Sequence, residues 1–264
     1  MKITDIKTIC LKYPYESFIA DGNSVCFGRG ALLILIETDT EIIGLGECAT
    51  FGASMSAMAD IVEHQLKGLL IGQNPLDIER LWETMVWSNF ANGRRGIVMG
   101  AISGIDIALW DIAGKAAGLP LYRLLGANSD QVKGYASAGF YAPDKDIDSL
   151  KKEMEGYIKK GYTAFKMKVG RRANNISMPH RYVKKGDFLL SFEEDMARVK
   201  AVRETIGWEY PLMLDMNCTW QVDEVLAAES YFDEYKIYWI EEPARSDDVE
   251  GYSKMAAGLK RTLV

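Results

Sequence analysis

The chain has 264 residues, of which 48% are hydrophobic and 26% charged, with a formal net charge of −6. Such a chain buries a sizeable core, as one barrel-sized domain or two smaller ones, and has the composition of a soluble globular protein. The acidic balance argues against a nucleic-acid groove or an anionic membrane surface as the main partner.

Residues 2–13 place Ile3, Ile6, Ile9 and Leu11 among polar neighbours and read as a strand. Residues 14–30 read as a long, polar, mobile loop. Ala31–Glu37 and Ile42–Glu47 read as a hairpin turning at Thr38-Asp39-Thr40. The period then becomes helical. Met55, Met58, Ile61, Val62, Leu66 and Leu69 predict one helix over 54–70. A second helix is predicted over 75–88. A third, over 95–117, is apolar nearly all round and should be buried, ending at Gly118-Leu119-Pro120. Residues 1–125 thus form a predicted α+β domain.

From residue 126 to 264 strand and helix alternate. The predicted strands are 132–138, 162–169, 211–216 and 237–240. The predicted helices are 147–160, 192–206, 222–235 and 249–257. Four β/α units with short apolar strands imply a parallel sheet flanked by helices, as in a TIM-type barrel. The step from Asp215 to Glu241 fits one barrel unit. The step from Lys168 to Asp215 is half a unit longer, and the polar stretch 171–190 reads as an insertion there.

Three polar clusters end successive strands: Lys166-Met167-Lys168, Asp215-Met216-Asn217 and Glu241-Glu242-Pro243. Carboxylates on neighbouring strand ends repel, and a divalent cation relieves that cost. Oxygen ligands without His or Cys favour a hard ion such as Mg²⁺. Lys166 and Lys168 point to one side of their strand, opposite Phe165, Met167 and Val169. Two ammonium groups in one confined space should lower each other's pKa, and a lysine partly neutral near pH 7 can act as a general base. Solvated loop acids and a solvent-facing lysine pair are the plainer readings. The ordered set of three clusters argues against them.

Weaker signals remain. Gly44-Leu45-Gly46-Glu47-Cys48-Ala49 matches a dinucleotide-binding pattern, but it ends a hairpin instead of opening a βαβ unit. His64 reads as a surface residue and His180 as part of a solvated loop. Tyr15, Phe18 and Phe51 are candidates for lining a substrate pocket. The cysteines Cys10, Cys26, Cys48 and Cys218 are widely spaced and read as reduced thiols. Met1–Asp5 lacks a signal peptide's apolar run, and Asp106 and Asp111 interrupt the most apolar segment, so no membrane span and a cytoplasmic location are expected.

The predicted α+β unit, the segment Ser103–Ile112, the paired lysines, Asp215-Met216-Asn217 and Trp239–Pro243 together resemble the mandelate racemase/muconate lactonizing branch of the enolase superfamily. The resemblance runs from residue 1 to about 258. It implies an N-terminal capping domain over 1–125, then the first four β/α units of a (β/α)7β barrel over 126–264. It also implies Asp215 and Glu241 as Mg²⁺ ligands, Lys168 as general base and Lys166 as its electrostatic partner on the substrate carboxylate. Asn217 falls beside metal and substrate, and residues 14–30 and 47–55 on specificity loops. The implied reaction is abstraction of the proton α to the carboxylate of a hydroxy acid, in particular a sugar acid. Dehydration, racemisation, epimerisation or cycloisomerisation then follows, in a homo-oligomer. The family's third metal carboxylate and its later acid/base groups have no counterpart in these 264 residues, so a truncated, non-catalytic product is the alternative.

Overall fold

The structure is a computed structural model and describes every residue except Phe51, 92–94, Asp144 and 172–188. The expected insertion and His180 therefore lie outside the described residues. The chain divides into two compact units: Met1–Pro14 with Gly28–Val132, and Tyr15–Phe27 with Lys133–Val264.

Strands β1 (Ile3–Ala20), β2 (Val25–Thr38) and β3 (Ile43–Cys48) form one sheet in that order, the Tyr15–Phe27 end of the β1/β2 hairpin belonging to the second unit. Strands β2 and β3 pair antiparallel, with Leu32 opposite Cys48 and Glu37 opposite Ile43. Leu32, Ile34 and Ile36 alternate into the core, as the period-two pattern of a half-buried strand requires. The loop expected over 14–30 is instead the outer end of the β1/β2 hairpin. Tyr13, Tyr15, Phe18, Val25 and Phe27 are strand formers. Asp21 closes the turn: its Oδ1 accepts the Asn23 N–H at 2.8 Å, and its Oδ2 accepts the Ser24 hydroxyl at 2.7 Å.

The helix expected over 54–70 breaks into α1 (Met55–Asp60), a π-helical turn (Ile61–Leu66) and α2 (Lys67–Leu70). Helix α3 (Ile78–Ser88) starts later than expected, because Asn74 holds a turn there: its Oδ1 accepts the Leu76 N–H at 3.2 Å. Helix α4 (Ile97–Ala117) ends at Gly118 in the left-handed conformation, φ 65°. By length and composition α4 is long and apolar enough to cross a membrane, which corrects the expectation that no segment is. It is not buried all round: Ala101, Ile105, Ala108 and Ile112 are fully buried while Ile107 is exposed. Its inner face lies on β3, where a Cβ on Gly44 or Gly46 would collide with the carbonyls of Ala108 and Gly104. Those glycines serve helix–sheet packing, which accounts for the pattern without a dinucleotide. A short α5 (Leu121–Leu124) follows.

The second unit is the parallel β/α portion. Strands β4 (Ala136–Ala138), β5 (Phe165–Lys168), β6 (Leu212–Asp215), β7 (Ile237–Glu241) and β8 (Thr262–Leu263) lie in sequence order, all parallel. Between them run α6 (Ile147–Lys159), α7 (Phe192–Ile206), α8 (Val222–Ala227), α9 (Glu229–Glu234) and α10 (Val249–Gly258). The helix expected over 222–235 is thus interrupted at Ala228. Helix α7 opens with a capping box between Ser191 and Glu194. Phe165, Met167, Leu212, Leu214 and Ile240 pack in one buried cluster with Val199, Val202, Val225 and Phe232 from the helices. That cluster occupies one face of the strands and leaves the other to Lys166, Lys168, Asp215 and Glu241.

Candidate active site

The strand register sets the site. Lys168 stands beside Asp215 across β5/β6, and Asp215 beside Glu241 across β6/β7. Parallel pairing therefore brings residues far apart in sequence abreast at the C-terminal end of the sheet. Lys168 donates to Asp215 Oδ2, and Lys166 donates to Glu241 Oε1 while lying 3.3 Å from Asp215 Oδ2. Asp215 is 1% exposed, Lys166 6% and Lys168 8%. Two buried ammonium groups thus compensate two carboxylates, as buried charges require.

Burial alone pushes the Lys166 ammonium down. The Glu241 hydrogen bond and the charges of Asp215 and Glu241 outweigh it and hold its pKa above the ordinary lysine value. This overturns, for Lys166, the expectation that the neighbouring lysine lowers it. The hydrogen bond to Glu241 and the charges of the two carboxylates decide the sign.

Residue 217 follows β6 at φ 48°, and its N–H donates to Asp215 Oδ1 at 3.1 Å. The Asn217 Nδ2 donates to Glu242 Oε2 at 3.4 Å, while its Oδ1 is buried with no hydrogen-bond partner among the described residues. An orphaned acceptor is costly unless a ligand supplies the donor. Lys166 between Asp215 and Glu241 likewise stands where an added cation would find two oxygen ligands. These residues fit a hard divalent ion. Among the described residues, however, no three His, Cys, Asp or Glu side chains gather into a metal-binding group.

Tyr15 and Phe18 lie on the outer end of β1, with the Phe18 ring 5.9 Å from that of Phe27. The turn of this hairpin sits close to the strand ends: a Cβ on Gly22 would come within 2.9 Å of the carbonyls of Val169 and Met216. Arg171 Nη1 donates to the carbonyls of Asp21 and Ser24 at 3.0 and 3.2 Å. Phe51 lies outside the described residues. His64 is exposed, 3.7 Å from Asp60. Two contacts were not foreseen from sequence. The Lys166 ammonium lies 5.4 Å from the Tyr135 ring, and that of Lys168 lies 5.2 Å from the Phe140 ring. Tyr135 and Phe140 flank β4, and only the pairing of β4 with β5 brings them to the lysines.

Residues 28–126 match the mandelate racemase/muconate lactonizing enzyme N-terminal domain, and 149–264 match the enolase C-terminal domain-like family. The chain is 34% identical over 225 residues to an arabinonate dehydratase of Saccharolobus solfataricus, covering 85% of this chain and 55% of that protein. It is 34% identical over 262 residues to a 3,6-anhydro-α-L-galactonate cycloisomerase of Streptomyces coelicolor, covering 99% and 67%. A racemase from Streptomyces coelicolor A3(2), solved with bound magnesium, superposes with a TM-score of 0.86 at 30% identity, over 99% of this chain and 68% of that one. The L-talarate/galactarate dehydratase of Salmonella typhimurium LT2, liganded with Mg and L-lyxarohydroxamate, gives 0.82 at 28% identity, over 99% and 63%. The chain thus spans between about half and two thirds of the length of these relatives. Matching domains at both ends, similarity across the whole chain and a lysine–carboxylate cluster on adjacent parallel strands together place it in the mandelate racemase/muconate lactonizing enzyme family of the enolase superfamily.

Proposed function

We propose that this chain carries the proton-abstraction half of a Mg²⁺-dependent enzyme acting on a hydroxy acid, in particular a sugar acid. The carrying observation is the gathering of buried Lys166, Lys168 and Asp215 with half-buried Glu241 across three strand ends. Relatives named as sugar-acid dehydratases and a sugar-acid cycloisomerase support the substrate class. Asp215 and Glu241 would hold the metal. When bound, Mg²⁺ supplies Lewis-acid stabilisation of the negative charge that grows on the substrate carboxylate.

The chain's own residues do the rest. Lys168 accepts the proton from the carbon α to that carboxylate. Lys166 offers a positive charge to the carboxylate as its electron density rises. Asn217 Oδ1 accepts a hydrogen bond from a substrate hydroxyl, satisfying its buried lone pairs. Tyr15 and Phe18, on the outer end of β1, would line the substrate pocket, with Phe51 assigned to it from the sequence. Reprotonation then gives racemisation, and loss of a β-hydroxyl gives dehydration. The proposal extends to a homo-oligomer in the cytoplasm with neither nucleic acid nor membrane as partner, on the acidic balance and widely spaced cysteines of the sequence.

The test is exchange of the α-proton with solvent deuterium across a panel of sugar acids with Mg²⁺. Lys168→Ala should abolish exchange on the S face, and unchanged exchange would overturn the base assignment. A second reading has its own observation, since only two metal-ligating carboxylates meet among the described residues. On that reading the 264-residue polypeptide is non-catalytic by itself. Mg²⁺ titration with turnover measured in parallel separates the two: tight binding with turnover removes the second reading.

A further inference from the structure

Three of the buried side chains outside the lysine–carboxylate cluster meet beside the Lys168 main chain. Tyr141 follows β4, and Asp195 and Arg198 lie on α7; they are 3%, 0% and 8% exposed. Asp195 Oδ1 accepts from the Tyr141 hydroxyl at 2.8 Å and from Arg198 Nη1 at 3.0 Å, and its Oδ2 accepts the Gly170 N–H at 2.7 Å. Arg198 Nη1 also donates to the carbonyl of Lys168 at 3.1 Å, and its Nη2 to the carbonyl of Gly139 at 2.7 Å. The guanidinium lies 4.0 Å from the centre of the Tyr141 ring. The Tyr141 hydroxyl accepts the Arg171 N–H at 3.3 Å.

Three of these six bonds converge on one short stretch of backbone. The carbonyl of Lys168 and the N–H groups of Gly170 and Arg171 are each held by a side chain of the triad. A buried ion pair gives a fold little net stability over apolar residues of the same shape, so stability alone does not account for it here. What the triad does is locate Lys168 from two sides. Arg198 holds its carbonyl directly. Phe140, whose ring is 5.2 Å from the Lys168 ammonium, sits between two fixed neighbours. Gly139 is held by Arg198. Tyr141 is held by Asp195 and by reciprocal backbone bonds of 2.7 and 2.8 Å with Ala20.

We propose that Tyr141, Asp195 and Arg198 form a positioning triad that sets the reach of the Lys168 amine, directly through its main chain and indirectly through Phe140. The assignment rests on Lys168 being the general base. Misplacement of such a base lowers the rate of proton transfer far more than it lowers binding.

Arg198→Lys keeps the charge and loses the second carbonyl contact. Tyr141→Phe keeps the ring and loses the hydroxyl. Both are milder than any change at Asp195, whose loss would strand a buried guanidinium. In the Mg²⁺-loaded protein each should lower kcat for α-proton exchange about 10- to 100-fold, leave KM and Mg²⁺ affinity near wild type, and raise the primary deuterium isotope effect on kcat. Independently of turnover, labelling by a small acylating reagent, mapped by peptide mass, should change several-fold at Lys168 and not at surface lysines such as Lys254. If kcat falls only in proportion to lost folded protein and the labelling is unaltered, the triad is merely structural and the proposal is overturned. If wild-type protein exchanges no substrate proton, the functional reading fails, and a change confined to Lys168 labelling still supports the positioning role.

Discussion

Lys166 is held by two carboxylates at once, and that bridging has consequences for stability. Lys166→Met leaves Glu241 without its ammonium partner and weakens the compensation of buried Asp215. Breaking such a pair costs about 3 kcal/mol, measurable by urea denaturation in metal-free buffer. Mg²⁺ should restore more stability to that variant than to wild type, because the lysine no longer competes for the same oxygens; equal restoration would argue against Lys166 as the cation's stand-in. Cys48 gives a separate, pH-dependent effect. Burial pushes its thiol up from 9.0 to about 11. Between those values the unfolded thiol has lost its proton while the folded one keeps it, so stability falls as pH rises. The full effect is at most about 2.7 kcal/mol. Cys48→Ala should remove that part of the alkaline slope, as read by denaturation at pH 8.5 and 10.5.

At the scale of elements, α4 lies on β3 only because neither Gly44 nor Gly46 carries a side chain. Gly46→Ala forces the Gly104 turn of α4 away from the strand and should cost about 1–3 kcal/mol, read as a lower urea midpoint. The helices and strands themselves were legible from period and punctuation: Leu32, Ile34 and Ile36 alternate, and Gly118 ends α4. The outer hairpin was not, because its turn depends on Asp21 side-chain bonds and its polar residues mimic a loop. The interruption at Ala228 was equally hidden, since residues 222–235 keep a helical pattern on both sides of it. Of the candidate site, the placement of Lys166, Lys168, Asp215 and Glu241 on one face at the strand ends was legible, because strand ends and side-chain alternation are local features. Tyr135, Phe140 and the Tyr141–Asp195–Arg198 triad were not. Charged residues on the otherwise apolar face of α7, beside Met196, Val199 and Val202, were the one available sign.

At the scale of the whole molecule, the parallel sheet of the second unit runs from β4 to β8 and is open at both ends among the described residues. The sequence by itself determined the order of elements, the parallel β/α pattern and which chemical groups stand at the strand ends, because each is written in short-range periodicity. Only the tertiary structure decided that Lys166 stands between two carboxylates, that the Gly44–Ala49 glycines serve packing, and that Tyr141, Asp195 and Arg198 meet beside the main chain of Lys168. Those properties depend on partners brought together by strand pairing and helix packing, and short-range periodicity cannot encode which distant groups will meet.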